Sequence, residues 1–318
     1  MKIVFLETEC LGEGINYDMF SKLGEVEKYG YTPLDKLSER IEDADIIVLN
    51  KIPMNEKTLA GAKNLKLICI TATGTNIVDL DYTNKAGITV TNVKGYSTPT
   101  VAQHTFALYF ALAEQIAYYD NCVKSKAYSQ SEMFVHHGPV FHDLSGLTWG
   151  IAGLGDIGKK VAQIAEAFGC NVQYYSTSGR NNSGDYKQVS FDELLETSDI
   201  ISIHAPLNDA TQDLFGAEAF RKMKKSAIIL NLGRGPIINE QALADALNQG
   251  EIAGAGLDVF TVEPLPLNSP LLEVKEKEKM ILTPHIAWAS VEARTRLVQE
   301  VYYNMEAFLN KEERNVVR

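Results

Sequence analysis

Short apolar runs alternate with segments of helical periodicity from one end of the chain to the other. Fully apolar runs are typical of strands buried on both faces, as are parallel strands joined by crossover helices. The alternation therefore predicts an α/β architecture with doubly wound parallel sheets. The predicted strands lie in the runs KIVFL, ADIIVLN, LKLICIT, GITVTNV, TWGIAGLG, NVQYYS, SDIISIHAP, SAIILNLG, IAGAGLDVF and KMILTPH.

Two longer stretches interrupt this alternation. One is apolar and runs from about Pro99 to Tyr119, and the other is amphipathic and runs from Ser290 to about Leu309. A chain of 318 residues with 45% hydrophobic residues is long for one core and sufficient for two. We therefore predict two α/β domains, with the two long helices at the junctions between them.

Charge and cysteine usage narrow the class of partner. The formal net charge of -11 argues against nucleic acid or an anionic membrane surface as the main partner. The opening residues are too short an apolar run for a signal peptide, and Glu114 and Gln115 interrupt the most apolar helix. The four cysteines form no C-x-x-C pair, which favours reduced thiols. We therefore expect a soluble cytoplasmic protein.

Three of the six histidines fall in MFVHHGPVFHDLSG, residues 133–146, which lacks periodicity and is predicted to be a surface linker. His136, His137 and His142 are candidate metal ligands. Adjacent histidines point apart, however, and no carboxylate has a matching spacing. We therefore predict no metal site.

The clearest local motif is a G-x-G-x-x-G pattern formed by Gly153, Gly155 and Gly158. It follows an apolar strand and opens a helix with one apolar face, which is the context in which the motif binds a dinucleotide. The first glycine permits a tight turn, the second lets the backbone approach a pyrophosphate, and the third permits close packing of helix on strand. A purely structural glycine turn is the alternative interpretation.

The second strand of such a fold normally ends in an acidic residue that accepts hydrogen bonds from the ribose hydroxyls. Here the run NVQYYS ends at Ser176, and Thr177, Ser178 and Arg180 follow. No carboxylate repels a 2′-phosphate, and three hydroxyls with one guanidinium could bind it. This pattern favours NADP(H) over NAD(H), although hydroxyls also bind a free ribose and Arg180 could be a solvated loop residue.

Three further polar residues each follow a predicted strand: Arg234 in NLGRGPIINE, Glu263 in GLDVFTVEPL and His285 in LTPHIAWAS. In an open parallel sheet, ligands bind in the crevice outside the carboxyl ends of the strands, so the three side chains can converge. Taken singly, Arg234 could be part of a structural ion pair, Glu263 a surface carboxylate and His285 a satisfied core histidine.

Four motifs follow one another along the chain: the glycine-rich turn, an N-x-x-R-G block, a D-V-F-x-x-E-P block and a T-P-H block. With these motifs the chain resembles the D-isomer-specific 2-hydroxyacid dehydrogenase family over essentially its whole length. The stretch GYSTPTVAQH, with Gln103 where most members have glutamate, is most similar to the glycerate dehydrogenase or hydroxypyruvate reductase branch. Because glutamine is uncharged, the sequence argues against a role for this position that needs negative charge.

The resemblance implies two Rossmann-like domains with an active-site cleft between them. The substrate domain would comprise residues 1–98 with 288–318, and the dinucleotide-binding domain, residues 99–287, would be inserted between these segments. The resemblance also implies a homodimer that forms through the long helix after Pro99. A dinucleotide-sensing binding protein on the same fold, like the family's transcriptional corepressors, is the alternative function.

The reaction implied is the reduction of a small 2-oxo acid, similar to hydroxypyruvate or glyoxylate, to the D-2-hydroxy acid by hydride transfer. Arg234 would hold the carboxylate and the carbonyl oxygen in one plane, which a lysine cannot do. His285 would donate a proton to the alkoxide as general acid. Glu263 would pair with the other imidazole nitrogen, fixing the tautomer and favouring the imidazolium.

Further positions are assigned by the resemblance. The backbone N–H groups near Thr73 and Gly74, in TATGTNIVDLD, would bind the substrate carboxylate. Asp258 would receive the nicotinamide amide. The other positions expected to line the cofactor are Asp156, Ile157, His204, Pro206 and Leu232.

Overall fold

The computed structural model describes residues 1–180 and 184–318. The chain divides into two compact units, the first formed by Met1–Ser97 with Trp288–Arg318 and the second by Thr98–Ala287. Each unit contains one largely or wholly parallel β-sheet with helices, which confirms the predicted fold class. In the part of the chain that the structure describes, no helix is both long enough and apolar enough to cross a membrane.

The first unit is built on a six-stranded sheet in the order β13-β5-β4-β3-β1-β2. Its neighbouring strands are parallel except for the last strand of the chain, which pairs antiparallel with β5. The strands are β1 (Lys2–Phe5), β2 (Glu25–Lys28), β3 (Ile46–Leu49), β4 (Leu67–Ile70), β5 (Thr89–Thr91) and β13 (Val316–Val317). The helices are α1 (Leu34–Ile41), α2 (Leu80–Lys85) and α9 (Val291–Leu309).

Alternate residues of the first sheet pack on different helices. In β3, Ile46 and Val48 belong to a core cluster with Leu297 and Val301 of α9. Ile47 and Leu49 belong to the cluster that holds the buried residues of α1 and side chains of α2. Because successive side chains of a strand point to opposite faces, both faces of this sheet are covered, and this explains the fully apolar strand sequences.

The second unit is built on a seven-stranded sheet in the order β12-β11-β10-β9-β6-β7-β8, with every neighbouring pair parallel. Its strands are β6 (Thr148–Ala152), β7 (Asn171–Tyr175), β8 (Lys187–Gln188), β9 (Ile200–Ile203), β10 (Ile228–Asn231), β11 (Gly254–Leu257) and β12 (Met280–Leu282). Its helices are α3 (Thr98–Ala113), α4 (Ile116–Lys124), α5 (Asp156–Ala167), α6 (Phe191–Thr197), α7 (Ala217–Lys222) and α8 (Glu240–Gln249).

Helix α3 packs directly on the second sheet. A Cβ atom added to Gly256 of β11 would lie 3.1 Å from the Cβ of Leu108, so the helix approaches this strand closely. The ring of Phe106 lies 4.6 Å from that of Trp149 in β6, measured between centroids. The neighbours of Gly256 in β11 belong instead to the cluster with α6, α7 and α8. The apolar character of α3 is therefore explained by burial within its own unit.

The apolar stretch from Pro99 to Tyr119, predicted as one helix, forms two. Helix α3 ends at Ala113, and Gln115 has the left-handed φ of 50° before α4 begins. The Gln115 side-chain amide donates to the carbonyl of Leu112 at 2.8 Å, which satisfies one of the carbonyl groups left unpaired where the helix ends. The predicted helix at the end of the chain is confirmed: α9 begins after Ser290, whose hydroxyl accepts from the N–H of Ala293.

Candidate active site

The predicted site residues of the second unit lie along one edge of its sheet. All its strands are parallel, so their carboxyl ends meet at the same edge. Arg234, Asp258 and His285 follow β10, β11 and β12, which are neighbours in the sheet. The cofactor candidates Gly153, Ser176 and His204 follow the strands β6, β7 and β9.

Arg234 lies in a turn held by a buried asparagine. The Asn231 side chain donates to the carbonyl of Arg234 at 2.9 Å and accepts from the N–H of Gly233 at 3.0 Å. Nη1 of the half-buried Arg234 donates to the carbonyl of Gly233 at 2.8 Å. Among residues 1–180 and 184–318, no carboxylate forms an ion pair with this guanidinium. Its other N–H groups are therefore suited to an anionic ligand.

A glycine brings the loop after β11 against the Arg234 turn. A Cβ atom added to Gly235 would lie 1.9 Å from the carbonyl carbon of Phe260 and 2.1 Å from its oxygen. No side chain fits there, because the obstacle is backbone rather than a mobile side chain. The glycine after the arginine therefore allows direct contact between two segments that carry predicted catalytic residues.

Glu263 and His285 form a hydrogen-bonded pair. Oε2 of the carboxylate lies 2.7 Å from Nδ1 of the imidazole, and Oε1 accepts from the N–H of Phe260 at 3.1 Å. Because a carboxylate only accepts, Nδ1 carries the proton of this bond. Nε2 of His285 has no hydrogen-bond partner in the part of the chain that the structure describes. An imidazolium held in this way can donate its second proton from Nε2.

Asp258 is buried and accepts hydrogen bonds from the backbone that follows β12. Its carboxylate accepts from the N–H groups of Ile286 at 2.9 Å and Ala287 at 2.8 Å. The hydroxyl of Thr283 donates to the same carboxylate at 2.6 Å. Oδ2 accepts only the bond from Ala287 among the described residues, which leaves it a lone pair for a ligand N–H.

The glycine-rich turn has the shape that a pyrophosphate needs. Gly153 has a left-handed φ of 97°, and a Cβ there would lie 2.9 Å from the backbone of Ala205. A Cβ on Gly158 would lie 2.3 Å from the carbonyl oxygen of Gly153, so α5 packs tightly on the turn. At Gly155, no described atom lies within 4 Å of an added Cβ. Space is therefore open over the middle glycine, beside the helix start at Asp156.

Two side chains near this turn carry buried polar atoms that no described residue satisfies. They are the hydroxyl of Ser176 and both ring nitrogens of His204. Buried polar groups normally have partners, so these atoms fit a ligand with hydroxyl or phosphate oxygens. Burial lowers the pKa of His204 to about 3, which keeps its imidazole neutral. The remaining candidates are half-buried Ile157 and Thr177, exposed Ser178, Arg180 and Pro206, and buried Leu232.

The predicted substrate loop belongs to the first unit, directly after β4. The hydroxyl of Thr73 donates to the carbonyl of Val93 at 2.8 Å, and the side chain of Asn92 donates to the carbonyl of Thr73 at 2.7 Å. Gly74 follows and is half-buried. These bonds fix the loop that was assigned to the substrate carboxylate.

One of the three histidines in residues 133–146, His136, contacts a tyrosine. Nε2 of His136 lies 3.0 Å from the hydroxyl of Tyr118, and the segment is largely exposed without helix or strand, which confirms the predicted surface linker. Among the residues that the structure describes, no three His, Cys, Asp or Glu side chains are grouped to hold a metal ion.

Comparison with known proteins gives one family. The D-isomer specific 2-hydroxyacid dehydrogenase, NAD binding domain, matches residues 106–287. A glycerate dehydrogenase of Methylorubrum extorquens is 37% identical, with 99% of this chain and 98% of the relative covered. A hydroxypyruvate reductase of Blautia hydrogenotrophica is also 37% identical, with 100% of this chain and 99% of the relative covered.

Two solved structures share the fold over both chains. An acyclic imino acid reductase in complex with NADPH and D-Arg has a TM-score of 0.88 and 29% identity, and each chain is covered to 100%. A D-lactate dehydrogenase of Aquifex aeolicus, complexed with NAD and lactic acid, has a TM-score of 0.82 and 28% identity. In that comparison 98% of this chain and 96% of the other are covered.

His204, whose two ring nitrogens are buried and whose imidazole is neutral, gives the stability of the chain a pH dependence. Below a pH of about 6.5 the unfolded chain binds a proton at this residue, whereas the folded chain does not until pH about 3. Stability therefore falls as the pH drops through this window, by at most about 1.4 kcal/mol per pH unit from this group. We expect His204→Gln to unfold with a weaker dependence of its urea midpoint between pH 7.5 and 5.5. His137→Gln, at an exposed histidine, should match the wild type, and an unchanged slope in His204→Gln would contradict the assignment.

Proposed function

Because the chain belongs to the D-isomer specific 2-hydroxyacid dehydrogenase family, we propose that it reduces a small 2-oxo acid, similar to hydroxypyruvate or glyoxylate, to the D-2-hydroxy acid. It is an oxidoreductase that acts on 2-hydroxy acids with a nicotinamide cofactor. The observation that carries the proposal is the 2.7 Å pair of Glu263 and His285, which leaves Nε2 open at the sheet edge where Arg234 also lies.

Each catalytic side chain has a distinct task in this reaction. The guanidinium of Arg234 binds the substrate carboxylate and the carbonyl oxygen, and Asn231 keeps the turn in place. A nicotinamide cofactor, when bound along this edge, would supply the hydride that the carbonyl carbon takes up. Nε2 of His285 donates its proton to the carbonyl oxygen, so that the carbonyl group becomes a hydroxyl group. Glu263 stabilises the imidazolium before this transfer.

Different groups of residues would bind the cofactor and the substrate. Gly153, Gly155 and Gly158 with the start of α5 would bind the pyrophosphate. His204 and Leu232, with Ile157 and Pro206, would line the cofactor, and Asp258 would accept from the nicotinamide amide. In the first unit, the backbone near Thr73 and Gly74 would bind the substrate carboxylate, a role supported by the bonds that fix this loop.

The substrate test combines a panel of 2-oxo acids with one substitution at Arg234. The wild type should oxidise NADPH or NADH when hydroxypyruvate or glyoxylate is added, measured by absorbance. Arg234→Lys should lose roughly 10²-fold in kcat/KM, because one ammonium cannot replace a planar fork. Arg221→Lys, on the exposed side of α7, is the matched control and should retain full activity.

Two results would contradict this proposal. Near-wild-type kcat/KM in Arg234→Lys would remove the arginine from the substrate site. Tight binding of the cofactor without turnover of any 2-oxo acid would instead support the dinucleotide-sensing alternative.

We propose that NADP(H) is preferred over NAD(H). The position after β7 is held by Ser176, whose buried hydroxyl has no partner among the described residues, and no carboxylate stands there to repel a phosphate. Arg180 is exposed and can supply a positive charge, with Thr177 and Ser178 as further donors. Both cofactors occur in the structural relatives, NADPH in the imino acid reductase and NAD in the D-lactate dehydrogenase.

Exchange of the residue after β7 should reverse the preference. A charge-assisted bond from Arg180 contributes about 1.5 to 3 kcal/mol, so KM should be roughly ten-fold or more lower for NADPH than for NADH. Ser176→Asp should favour NADH, because the carboxylate accepts from ribose hydroxyls and repels a phosphate, whereas Arg180→Ala should weaken NADPH alone. Steady-state constants for both cofactors in the three proteins decide the matter. A wild-type preference for NADH would mean that the hydroxyls serve an unphosphorylated ribose.

We also propose a homodimer that forms through α4 and the segment after it, rather than through α3. The hydroxyl groups of Tyr119 and Tyr128 donate to the carbonyls of Pro139 and Phe134, at 2.8 Å and 2.7 Å. These bonds hold residues 128–141 with apolar side chains turned outward. The exposed fractions are 62% for Met133, 88% for Phe134, 82% for Val140 and 55% for Phe141. Several large apolar side chains exposed within one short segment are typical of a subunit interface, and a second copy presents the same segment.

Charge on this surface should separate the subunits. We expect the double variant Phe134→Asp/Val140→Asp to elute as a monomer in size-exclusion chromatography with light scattering, while the wild type elutes as a dimer. Leu267→Asp is the matched control, because this side chain is 95% exposed in the same unit but lies outside the segment. A wild type that is monomeric at micromolar concentration, or a double variant that stays dimeric, would contradict the proposed interface.

The cytoplasmic location, the cleft between the domains and the lack of nucleic-acid and membrane partners stay predictions.

A further inference from the structure

His285 has an unusual backbone conformation for a residue with a side chain. Its φ is 55°, in the left-handed region that glycine normally occupies. Such a conformation is strained for a residue with a side chain and persists only where surrounding groups hold it. The groups that hold this backbone therefore also aim the imidazole.

Asp258 supplies most of that support. The N–H of His285 donates to the backbone carbonyl of Asp258 at 2.8 Å. The next two N–H groups, those of Ile286 and Ala287, donate to the two oxygens of its carboxylate at 2.9 Å and 2.8 Å. Three consecutive N–H groups thus end on one buried residue, and rotation of its carboxylate would break the bonds to the two N–H groups that directly follow His285.

The carboxylate is in turn held by two side chains. The Thr283 hydroxyl lies 2.6 Å from Oδ1 of Asp258, and Nε2 of His104 lies 3.1 Å from that hydroxyl oxygen. A hydroxyl has one proton, and the ionised carboxylate must receive it, so the hydroxyl oxygen accepts from His104. Nε2 of His104 therefore carries a proton, and it also lies 3.7 Å from Oδ1 of Asp258.

We propose that His104 is a positioning residue for His285, acting through Thr283 and Asp258. The proposal rests on the proposed function, in which His285 donates the proton. His104 belongs to α3, which packs on the second sheet through Leu108 and Phe106, so its ring is anchored to a rigid element. The donor at Nε2 fixes the rotamer of Thr283, which fixes the carboxylate and with it the left-handed turn.

The test compares variants of the full-length protein with hydroxypyruvate or glyoxylate, whichever the wild type reduces faster. His104→Leu removes the donor at similar volume and should lower kcat about ten-fold or more, with KM for the 2-oxo acid within about two-fold, because a shift of the general acid weakens the chemical step more than binding. His104→Gln restores an N–H donor at similar reach and should recover most of kcat. Thr105→Val, at the next position of α3, is the matched control and should keep the wild-type kcat.

Coupling and stability separate positioning from a merely structural role. Thr283→Val breaks the same chain of bonds, so the double variant His104→Leu/Thr283→Val should be no slower than the slower single variant. Multiplied losses in the double variant would overturn the proposal, as would wild-type kcat in His104→Leu. Equal losses in the Leu and Gln variants, in step with a lowered Tm, would also overturn it.

These outcomes are distinct from a failure of the proposed function. An active wild type with an unaffected His104→Leu variant rejects only the positioning role. A wild type that reduces no 2-oxo acid removes the proton donor itself, and the proposal falls with it.

Discussion

The common direction of the strands in the second sheet is the constraint from which its site follows. Every strand of this sheet is parallel to its neighbours, so each one delivers the residues after it to the same edge. Residues that are far apart in the sequence, such as Arg234, Asp258 and His285, then follow three consecutive strands of the sheet at one edge. Parallel pairing requires helices on both faces, and their packing leaves the carboxyl edge as the place where polar side chains gather without disturbing a core.

Much of this arrangement could be predicted from sequence because burial leaves a strong pattern. All ten apolar runs contain a strand of the structure. The three strands that sequence did not reveal are β2, β8 and β13, which are short, lie at sheet edges and are at least partly exposed. A strand such as EVEK has no apolar run, because solvent covers it. The break at Gln115 also has no local signal, since neither glycine nor proline is present.

In the candidate site, too, some contacts could be predicted from the sequence and others could not. Residues in the segments that follow neighbouring strands, such as Glu263 after β11 and His285 after β12, could be expected to meet, and the structure joins them at 2.7 Å. The contacts of His104 could not be expected, because it is separated from Thr283 by 179 residues and stands alone in an apolar helix. Asn231 stood in the N-x-x-R-G block, yet only the structure reveals that its side chain holds the arginine turn. Pairings of this kind depend on packing, which no periodicity encodes.

The net charge of -11 sets a further condition on a protein that would bind an anionic substrate and an anionic cofactor. Exposed charges act over about 8 Å at physiological salt, so the overall excess of carboxylates matters less than the groups nearest each anion. Near the glycine turn, those groups are the N–H groups at the start of α5, beside the open space at Gly155. The ring of His204 also lies near this turn, and its pKa of about 3 keeps it uncharged. Near the proposed substrate position, the guanidinium of Arg234 has no carboxylate bound to it among the described residues. Anion binding in this unit therefore depends on local groups, namely the dipole at the start of α5, the guanidinium of Arg234 and, for a 2′-phosphate, the proposed contact of Arg180, and such local binding is compatible with an acidic net charge.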